Sequence, residues 1–113
     1  MTACSRGDVV LVAFTFTDES GSKRRPALVV SSETYNNGRD EVVITAITST
    51  TDRVLVGDHL IADWRSAGLL FPSVVTGIIR TIKQGMIDRR LGSVTPPDMA
   101  AIDMNLQLML GIS

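Results

Sequence analysis

The stretch "KRRPALVVSS", residues 23–32, joins three consecutive basic residues to a proline and a run of strand-forming residues. Val and Leu suit a pleated, half-buried surface. Because proline has no backbone N–H, we expect Pro26 at the start of a strand or on an edge strand. Arg25 precedes the proline and is therefore restricted to extended geometry. The sequence predicts a strand over 27–32 with an arginine on a stiff backbone at its entrance.

Other short apolar runs predict the rest of a sheet. We expect strands at 8–14, 40–50, 58–64 and 72–82, because each run is rich in Val, Ile, Leu or Thr. The run 40–50 is apolar or Thr on both faces, which predicts a central strand covered on both sides. Gly77 predicts a bulge or bend, and "NNG" (36–38) predicts a turn.

The C-terminal sequence has a different period. Residues 95–112, "TPPDMAAIDMNLQLMLGI", repeat apolar side chains at three- and four-residue steps, which predicts a helix with Thr95 as its cap. A shorter helix over 83–91 also fits the sequence, although Gly85 weakens it. We therefore expect a single, mainly β domain over residues 1–113, a small and strongly bent antiparallel sheet or half-barrel with a terminal helix.

Composition excludes several chemistries. The 113 residues are 44% hydrophobic with a net charge of −1, which is ordinary for a globular domain. Without a signal-peptide pattern or a membrane-length apolar run, and with one cysteine, we expect a cytoplasmic protein that contacts no membrane. The single histidine, His59, excludes mechanisms that need two imidazoles, and we interpret it as structural. No zinc-ligand spacing, acidic metal cluster or nucleotide-binding glycine motif is visible, so we expect no metal and no cofactor.

The basic residues before Pro26 are the remaining candidates for function. From the sequence alone, Lys23 and Arg24 are best interpreted as solvated loop charges. Arg25 differs because its backbone is restricted and its guanidinium presents five donors in a rigid fork, which suits bidentate phosphate binding. With a net charge of −1, a nucleic-acid partner would have to be held by such a local patch.

The order and spacing of these segments resemble the MazF/PemK family of toxin ribonucleases from bacterial toxin–antitoxin pairs. The resemblance is carried by "RGDVVLV" (6–12), "KRRPALVVSS", "VITAITS" (43–49), "PSVVTGIIRTI" (72–82) and "LMLGI" (108–112). It implies an SH3-like barrel of strongly bent strands with a C-terminal helix, assembled as a homodimer. It also implies metal-independent, sequence-selective cleavage of single-stranded RNA that leaves a 2′,3′-cyclic phosphate and a 5′-hydroxyl. The chain departs from the family pattern at Lys83, where many members are acidic.

The same resemblance implies the site residues and the partners. The family's conserved arginine, in the R-P that opens the second strand, corresponds to Arg25, and its threonine near the end of the third strand corresponds to Thr48. Both are implied to be catalytic, and we assign RNA binding to Lys23, Arg24, Ser49 and Arg80. The implied protein partner is a MazE-like antitoxin with an acidic C-terminal tail, through which alone DNA would be bound. We expect the loop 15–25 to be mobile without a ligand and to border the RNA groove.

Two other functions remain open from the sequence. A CcdB-like gyrase poison would use the same barrel to bind a protein, but the presence of both Arg25 and Thr48 favours RNA cleavage. A nucleic-acid-binding barrel without catalysis would be expected to stack bases on aromatic side chains. The available aromatic residues are Phe14, Phe16, Tyr35, Trp64 and Phe71, of which only the first two are close in sequence.

Overall fold

One antiparallel sheet of six strands forms the centre of the part of the chain that the computed structural model describes, residues 4–15 and 22–112. The strands are β1 (Asp8–Thr15), β2 (Ser22–Val29), β3 (Glu41–Thr48), β4 (His59–Leu60), β5 (Val74–Lys83) and β6 (Ile87–Ser93). The helices are α1 (Glu33–Gly38) and α2 (Pro96–Leu110), and a 3₁₀ turn spans Gln84–Met86. The sheet order is β4-β5-β3-β2-β1-β6. The predicted mainly β architecture with a terminal helix is confirmed.

The sheet buries apolar side chains on both of its faces. Because side chains alternate along a strand, Val9 of β1 packs beneath α2 in one core, whereas Val10 packs in the other. β3 contributes in the same way, with Ile47 in the core beneath α2 and Ile44 in the second core. The prediction that the 40–50 run is covered on both sides is therefore confirmed.

The terminal helix α2 closes one of these cores. Thr95 is its N-cap, Pro96 occupies its first turn, and Gly111 ends it in the left-handed conformation with a φ of 69°. Ile102 is 2% exposed and packs into the core beneath the helix. The predicted helix is confirmed, with bounds at Pro96 and Leu110. Within the described residues, no helix is long and apolar enough to cross a membrane.

The region 83–91 is not a helix, which corrects the sequence interpretation. It forms the 3₁₀ turn and the first part of β6, which pairs with β1. The side-chain amide of Gln84 donates to the backbone carbonyls of Asn36, Arg39 and Glu41 at 2.8, 3.1 and 3.0 Å. The hydrogen bonds of Gln84 and the pairing of β6 with β1 stabilise this arrangement over a helix. A helix here would lose both sets of hydrogen bonds and leave their partner backbone groups to solvent.

The "NNG" sequence also differs from its prediction as a turn. Residues 36–38 are the end of α1, which Ser32 caps by accepting a hydrogen bond from the backbone N–H of Tyr35 at 3.2 Å. Asn36 is buried, and its amide nitrogen donates to the carbonyls of Cys4 and Ser31, each at 3.2 Å. Asn36 is thus used for a buried hydrogen-bond network rather than for positive-φ geometry.

The structure also shortens two segments that the sequence predicted. The predicted loop 15–25 is shorter, because β1 continues to Thr15 and β2 begins at Ser22. Its expected mobility concerns residues 16–21, which lie outside the described residues. The predicted strand 58–64 is reduced to His59–Leu60, after which the chain leaves the sheet.

A backbone crossing holds the segment after β4 against β6. A Cβ on Gly68 would lie 2.1 Å from the carbonyl oxygen of Leu91, and a Cβ on Gly92 would lie 2.6 Å from the carbonyl carbon of Ala67. Gly68 also has a φ of +80°, a conformation that side chains disfavour. The two main chains therefore touch at a point where glycine is required on both sides.

Asp98, in the first turn of α2, fixes the chain where it leaves β4. Its carboxylate accepts hydrogen bonds from the backbone N–H groups of Ala62 (2.9 Å) and Asp63 (3.0 Å), and it pairs with His59 Nε2 at 2.8 Å. Burial of Asp98 would by itself raise the pKa of this carboxyl group. The hydrogen bonds from Ala62, His59 and Asp63 outweigh that effect and lower the pKa below its ordinary value. His59 is thereby a structural residue, as the sequence suggested.

We expect Asp98→Asn to destabilise the fold by about 2 kcal/mol at pH 7, because an amide cannot accept both backbone hydrogen bonds and the histidine contact. The folded-state pKa of Asp98 is lowered, so its stabilising contribution is complete above the unfolded-state pKa. It is lost as the pH falls through the folded-state value. Urea denaturation at pH 7 and at a pH below the ordinary aspartate pKa of about 3.9 should therefore show a difference between variant and wild type that shrinks at the lower pH.

The matched control is Asp103→Asn on the same helix, which removes an exposed ion pair with Arg6. Such surface pairs contribute about 0–1 kcal/mol, so this variant should unfold close to wild type. Equal losses of stability in the two variants would contradict the role given to Asp98.

Candidate active site

The site begins where β2 and β3 separate. The carbonyl of Val29 accepts from the N–H of Gly7, on the β1 side, whereas the N–H of Val30 donates to Val43 of β3. Because backbone groups alternate between the two sides of a strand, the nitrogen of Pro26 faces β3. That nitrogen carries no hydrogen, so it cannot continue the β2–β3 ladder.

The ladder ends accordingly at the pair Ala27–Ala46. Of the two positions that the sequence allowed, Pro26 takes an edge and not a strand start, because β2 begins at Ser22 and continues through Pro26 while paired with β1 alone. The proline is tolerated because only β1 pairs with this half of the strand. Beyond the Ala27–Ala46 pair, β2 remains paired with β1 and β3 remains paired with β5. An opening therefore forms between β2 and β3.

Arg25 and Thr48 lie on the two sides of this opening. Each is two residues beyond the last β2–β3 pair, Ala27–Ala46. Paired residues share a face of the sheet, and a step of two keeps that face. The structure therefore brings Arg25 and Thr48 to the same face and to the same level of the sheet.

Arg25 has no counter-ion among residues 4–15 and 22–112. It is exposed, its backbone is paired with Val12 of β1, and it makes no hydrogen bond or ion pair with any described residue. By contrast, Arg39 is paired with Glu41 at 2.9 Å and Arg90 with Asp8 at 3.1 Å. A fixed backbone with an uncompensated fork of donors is an arrangement that can receive an anion.

Lys23 and Arg80 face the same way as Arg25 and Thr48. Lys23 precedes Arg25 by two residues on β2, and Arg80 of β5 is paired with Ile44 of β3, which shares its face with Ala46 and Thr48. Both side chains are exposed. Four of the six candidate residues are therefore on one face.

Arg24 and Ser49 are placed differently. Arg24 is paired with Ala13 and points to the opposite face, where its Nε lies 3.3 Å from the carboxylate of Asp88 on β6. Ser49 is exposed and follows the last residue of β3. The run of three basic residues is thus split by the strand into two faces, which the sequence interpretation treated as one patch.

Thr48 has a hydroxyl group with a free donor. It is half-buried, and its Oγ1 accepts the backbone N–H of Thr50 at 3.1 Å. Because that contact uses the oxygen as an acceptor, the hydroxyl hydrogen remains available to a ligand. Thr48 can therefore donate to an anion bound by Arg25.

Thr48 also lines a groove, named here the Thr48 groove, with a volume of about 940 Å³. Its walls are the segment 50–58, the residues 76–79 of β5 and the end of α2 at Met109–Leu110. In β5, three residues (76–78) stand opposite the single residue Ala46 of β3. The bulge predicted at Gly77 is confirmed, and it gives the groove its shape.

The segment 50–58 is tied to this bulge by Asp58. Its Oδ1 accepts the N–H of Gly77 at 2.8 Å, and its Oδ2 accepts the N–H of Leu55 at 3.0 Å. The thioether of Met109 packs where a Cβ on Gly57 or on Gly77 would lie only 2.5 or 2.8 Å from the sulfur. Sequence analysis predicted the bulge at Gly77 but missed Asp58 and Met109, although the neighbouring Gly57 was a signal that the backbone comes close here.

Two other potentially reactive side chains, Cys4 and His59, are buried or held by another contact. Burial, and then the negative charge of Asp8, raises the pKa of the Cys4 thiol, which makes it a poor nucleophile at neutral pH. His59 is held by Asp98 at the start of α2. Among the described residues, no group of three or more His, Cys, Asp or Glu side chains could hold a metal ion.

Comparison with known proteins identifies the family to which the chain belongs. A family model described as "PemK-like, MazF-like toxin of type II toxin-antitoxin system" matches residues 5–110. The fold is similar to an endoribonuclease in complex with its cognate antitoxin from a mycobacterial species, with 27% identity, 98% of each chain covered and a TM-score of 0.77. It is also similar to an endoribonuclease from a mycobacterial species, with 28% identity, 99% and 95% covered and a TM-score of 0.76. MazE-MazF from Deinococcus radiodurans shares the fold, with 20% identity, full coverage of both chains and a TM-score of 0.83.

Proposed function

Because the chain belongs to the family of PemK-like, MazF-like toxins of type II toxin–antitoxin systems, we propose that it is an endoribonuclease that cleaves single-stranded RNA without a metal ion. The observation that carries this proposal is the uncompensated guanidinium of Arg25 beside the free hydroxyl donor of Thr48, at the opening between β2 and β3. The two endoribonucleases of similar fold support it.

The proposed reaction uses the RNA's own nucleophile. The ribose 2′-oxygen attacks the adjacent phosphorus, the 2′-O–P bond forms and the P–O5′ bond breaks. The 2′-hydroxyl loses its proton, the departing 5′-oxygen gains one, and the products end in a 2′,3′-cyclic phosphate and a 5′-hydroxyl. The protein must hold the nucleotide so that the attacking and leaving oxygens are in line, and it must stabilise charge on the phosphoryl oxygens.

Arg25 and Thr48 fit the second requirement. The Arg25 fork can donate two parallel hydrogen bonds to two phosphoryl oxygens, and the Thr48 hydroxyl can donate a third to the same group. Because Arg25 forms no ion pair with a described residue, no such pair has to be broken when the phosphate binds. Lys23 and Arg80, on the same face, contact the RNA backbone on either side, with Ser49 beyond the end of β3 and Arg24 on the reverse face contributing further contacts.

We expect Arg25→Lys to lower the cleavage rate by about 100-fold or more, because it keeps the charge but loses the fork. Thr48→Val keeps the shape and the strand propensity but loses the donor, and should lower the rate by a smaller factor. The measurement is single-turnover cleavage of a fluorescent single-stranded RNA. Arg89→Lys is the matched control and should stay within a few-fold of wild type, since Arg89 is an exposed arginine on β6 without a described partner. Wild-type cleavage rates in both Arg25→Lys and Thr48→Val would contradict the assignment of these residues to the active site.

The chemistry of the products provides an independent test. Cleavage in EDTA should proceed at the rate seen without it, because no described residue group could hold a catalytic metal ion. The ends should be a cyclic or linear 3′-phosphate and a 5′-hydroxyl, identified by mass spectrometry of a short RNA. A 3′-hydroxyl product, or activity that returns only with added Mg²⁺, is incompatible with the proposed mechanism.

We also propose a homodimer that is inhibited by a MazE-like antitoxin with an acidic, partly apolar tail. Large apolar side chains are exposed along α2 and its end, at Met104, Leu108, Leu110 and Ile112, and these would be covered by a partner. Similar folds occur in complex with a cognate antitoxin and in a MazE-MazF complex. Carboxylates of such a tail would bind Lys23 and Arg25 in place of RNA phosphates.

Light scattering at micromolar concentration should therefore give the mass of two chains, and adding the antitoxin should displace labelled RNA as it stops cleavage. A monomer at that concentration would contradict the dimer. An antitoxin that stops cleavage while RNA stays bound would contradict the competition.

A further inference from the structure

Beyond the Arg25–Thr48 pair, the Thr48 groove contains a second pair of charged residues. We propose that Arg53 and Asp52 form a nucleotide-recognition site, in which Arg53 binds the phosphate next to the scissile one and Asp52 selects the base. This inference rests on the proposed ribonuclease function, because its ligand is the neighbouring nucleotide of the same single-stranded RNA.

The groove is continuous with the candidate active site. Thr48 lines it, so a nucleotide next to a phosphate bound at Thr48 can enter it. Its volume of about 940 Å³ lies in the range of roughly 300–1,000 Å³ typical of small-ligand sites. The apolar wall includes Val56 and Ile78, which are 85% and 65% exposed, so a base can cover surface that is otherwise in contact with water.

The charged residues that line the groove differ in whether their side chains already make hydrogen bonds. Both carboxylate oxygens of Asp58 already accept backbone hydrogen bonds, from Gly77 and Leu55. Asp52 and Arg53 also line the groove and are exposed, and neither makes a hydrogen bond or ion pair with a described residue, including with each other. They are therefore the charged groups of this groove that remain to bind a ligand.

The two charges assign the orientation of the nucleotide. A carboxylate repels a phosphate, so the phosphate must lie at Arg53 and a neutral part of the nucleotide at Asp52. Ionised carboxylates only accept hydrogen bonds. Asp52 therefore favours a base with an exocyclic amino group (guanine, adenine or cytosine) over uracil, whose single N–H donor lies between two carbonyl oxygens that repel a carboxylate.

The position of this pair relative to Thr48 is fixed at both ends of its segment. At one end, the N–H of Thr50 is bonded to Thr48 Oγ1 at 3.1 Å. At the other end, the backbone carbonyl of Asp58 accepts from the side chain of Asn105 at 3.0 Å, and Asp58 itself is bonded to the bulge. Short connections between two anchors lower the ordering cost of binding.

The unpaired arginines also give the path of the RNA. Arg25 is level with Thr48 across the opening between β2 and β3, and Arg53 lines the groove that Thr48 also lines. An RNA strand with its scissile phosphate at Thr48 would therefore contact both arginines. Neither of two other cavities offers such a cation, because Arg39 is paired with Glu41 in one and Arg6 with Asp103 in the other.

The test compares Arg53→Ala and Asp52→Asn with Arg89→Ala, a matched control. Arg89 is likewise exposed and without a described partner, but it is on β6 and away from the groove. Binding is measured with a pool of single-stranded RNAs made uncleavable by 2′-deoxy substitution, over a range of salt concentrations. Cleavage is measured with the matching ribonucleotide pool and sequencing of the ends.

For Arg53→Ala we expect binding about tenfold weaker at 0.15 M salt, with a salt slope reduced by about 0.7, one phosphate contact on a single strand, and an unchanged base preference. For Asp52→Asn we expect a loss of preference at one position next to the cleavage site, by about tenfold, with little change in the salt slope. Arg89→Ala should match wild type in both measurements.

Three results would overturn the proposal. Arg53→Ala could keep the wild-type salt slope, Asp52→Asn could keep the wild-type base profile, or Arg89→Ala could weaken binding as much as Arg53→Ala. If the wild-type chain cleaves RNA while any of these is found, only the recognition site is wrong. If the wild-type chain binds the uncleavable pool with the expected variant effects but cleaves nothing, the recognition site stands and the ribonuclease function is wrong.

Discussion

The nitrogen of Pro26 carries no hydrogen, and it faces β3 at the position where the β2–β3 ladder ends. Everything proposed for the site depends on that ending. An ordinary residue at this position could have extended the ladder, and Arg25 and Thr48 would then have been neighbours on a closed sheet. Because the strands separate instead, an arginine on a paired backbone stands at an opening that a phosphate can enter.

The alternation of side chains along β2, and not their order in the sequence, decides which face of the sheet each basic residue lies on. Lys23, Arg24 and Arg25 are consecutive, yet the alternation of β2 sends the middle one to the reverse face and toward Asp88. Arg25 is left without a carboxylate among the described residues. Its charge is uncompensated locally although the whole chain has a net charge of −1. Local placement, and not total charge, decides which anion this protein can bind.

The sequence predicted the segments whose own period is strong, which are β1, β3, β5 and α2. It missed β6, because that strand exists through pairing with β1, far away in the chain. It misjudged residues 36–38, because Asn36 is recruited by Cys4 and Ser31 into a buried network. Arg25 was a candidate from its position before Pro26, whereas Thr48 came from a family resemblance, and their shared face was visible only from the strand register. Asp52 and Arg53 had no sequence signal, since only the folded groove distinguishes them from solvated charges.

The backbone crossing of Gly68 and Gly92 has a consequence for solubility. A sheet edge presents unpaired N–H and C=O groups that invite a strand from another molecule, which is a route to aggregation. On β6 the crossing segment lies against Leu91–Gly92, and the uncovered part carries the charged residues Asp88, Arg89 and Arg90. The other edge, β4, is only two residues long. The β6 edge therefore does not suit the recruitment of a further strand, which protects that side of the sheet against polymerisation.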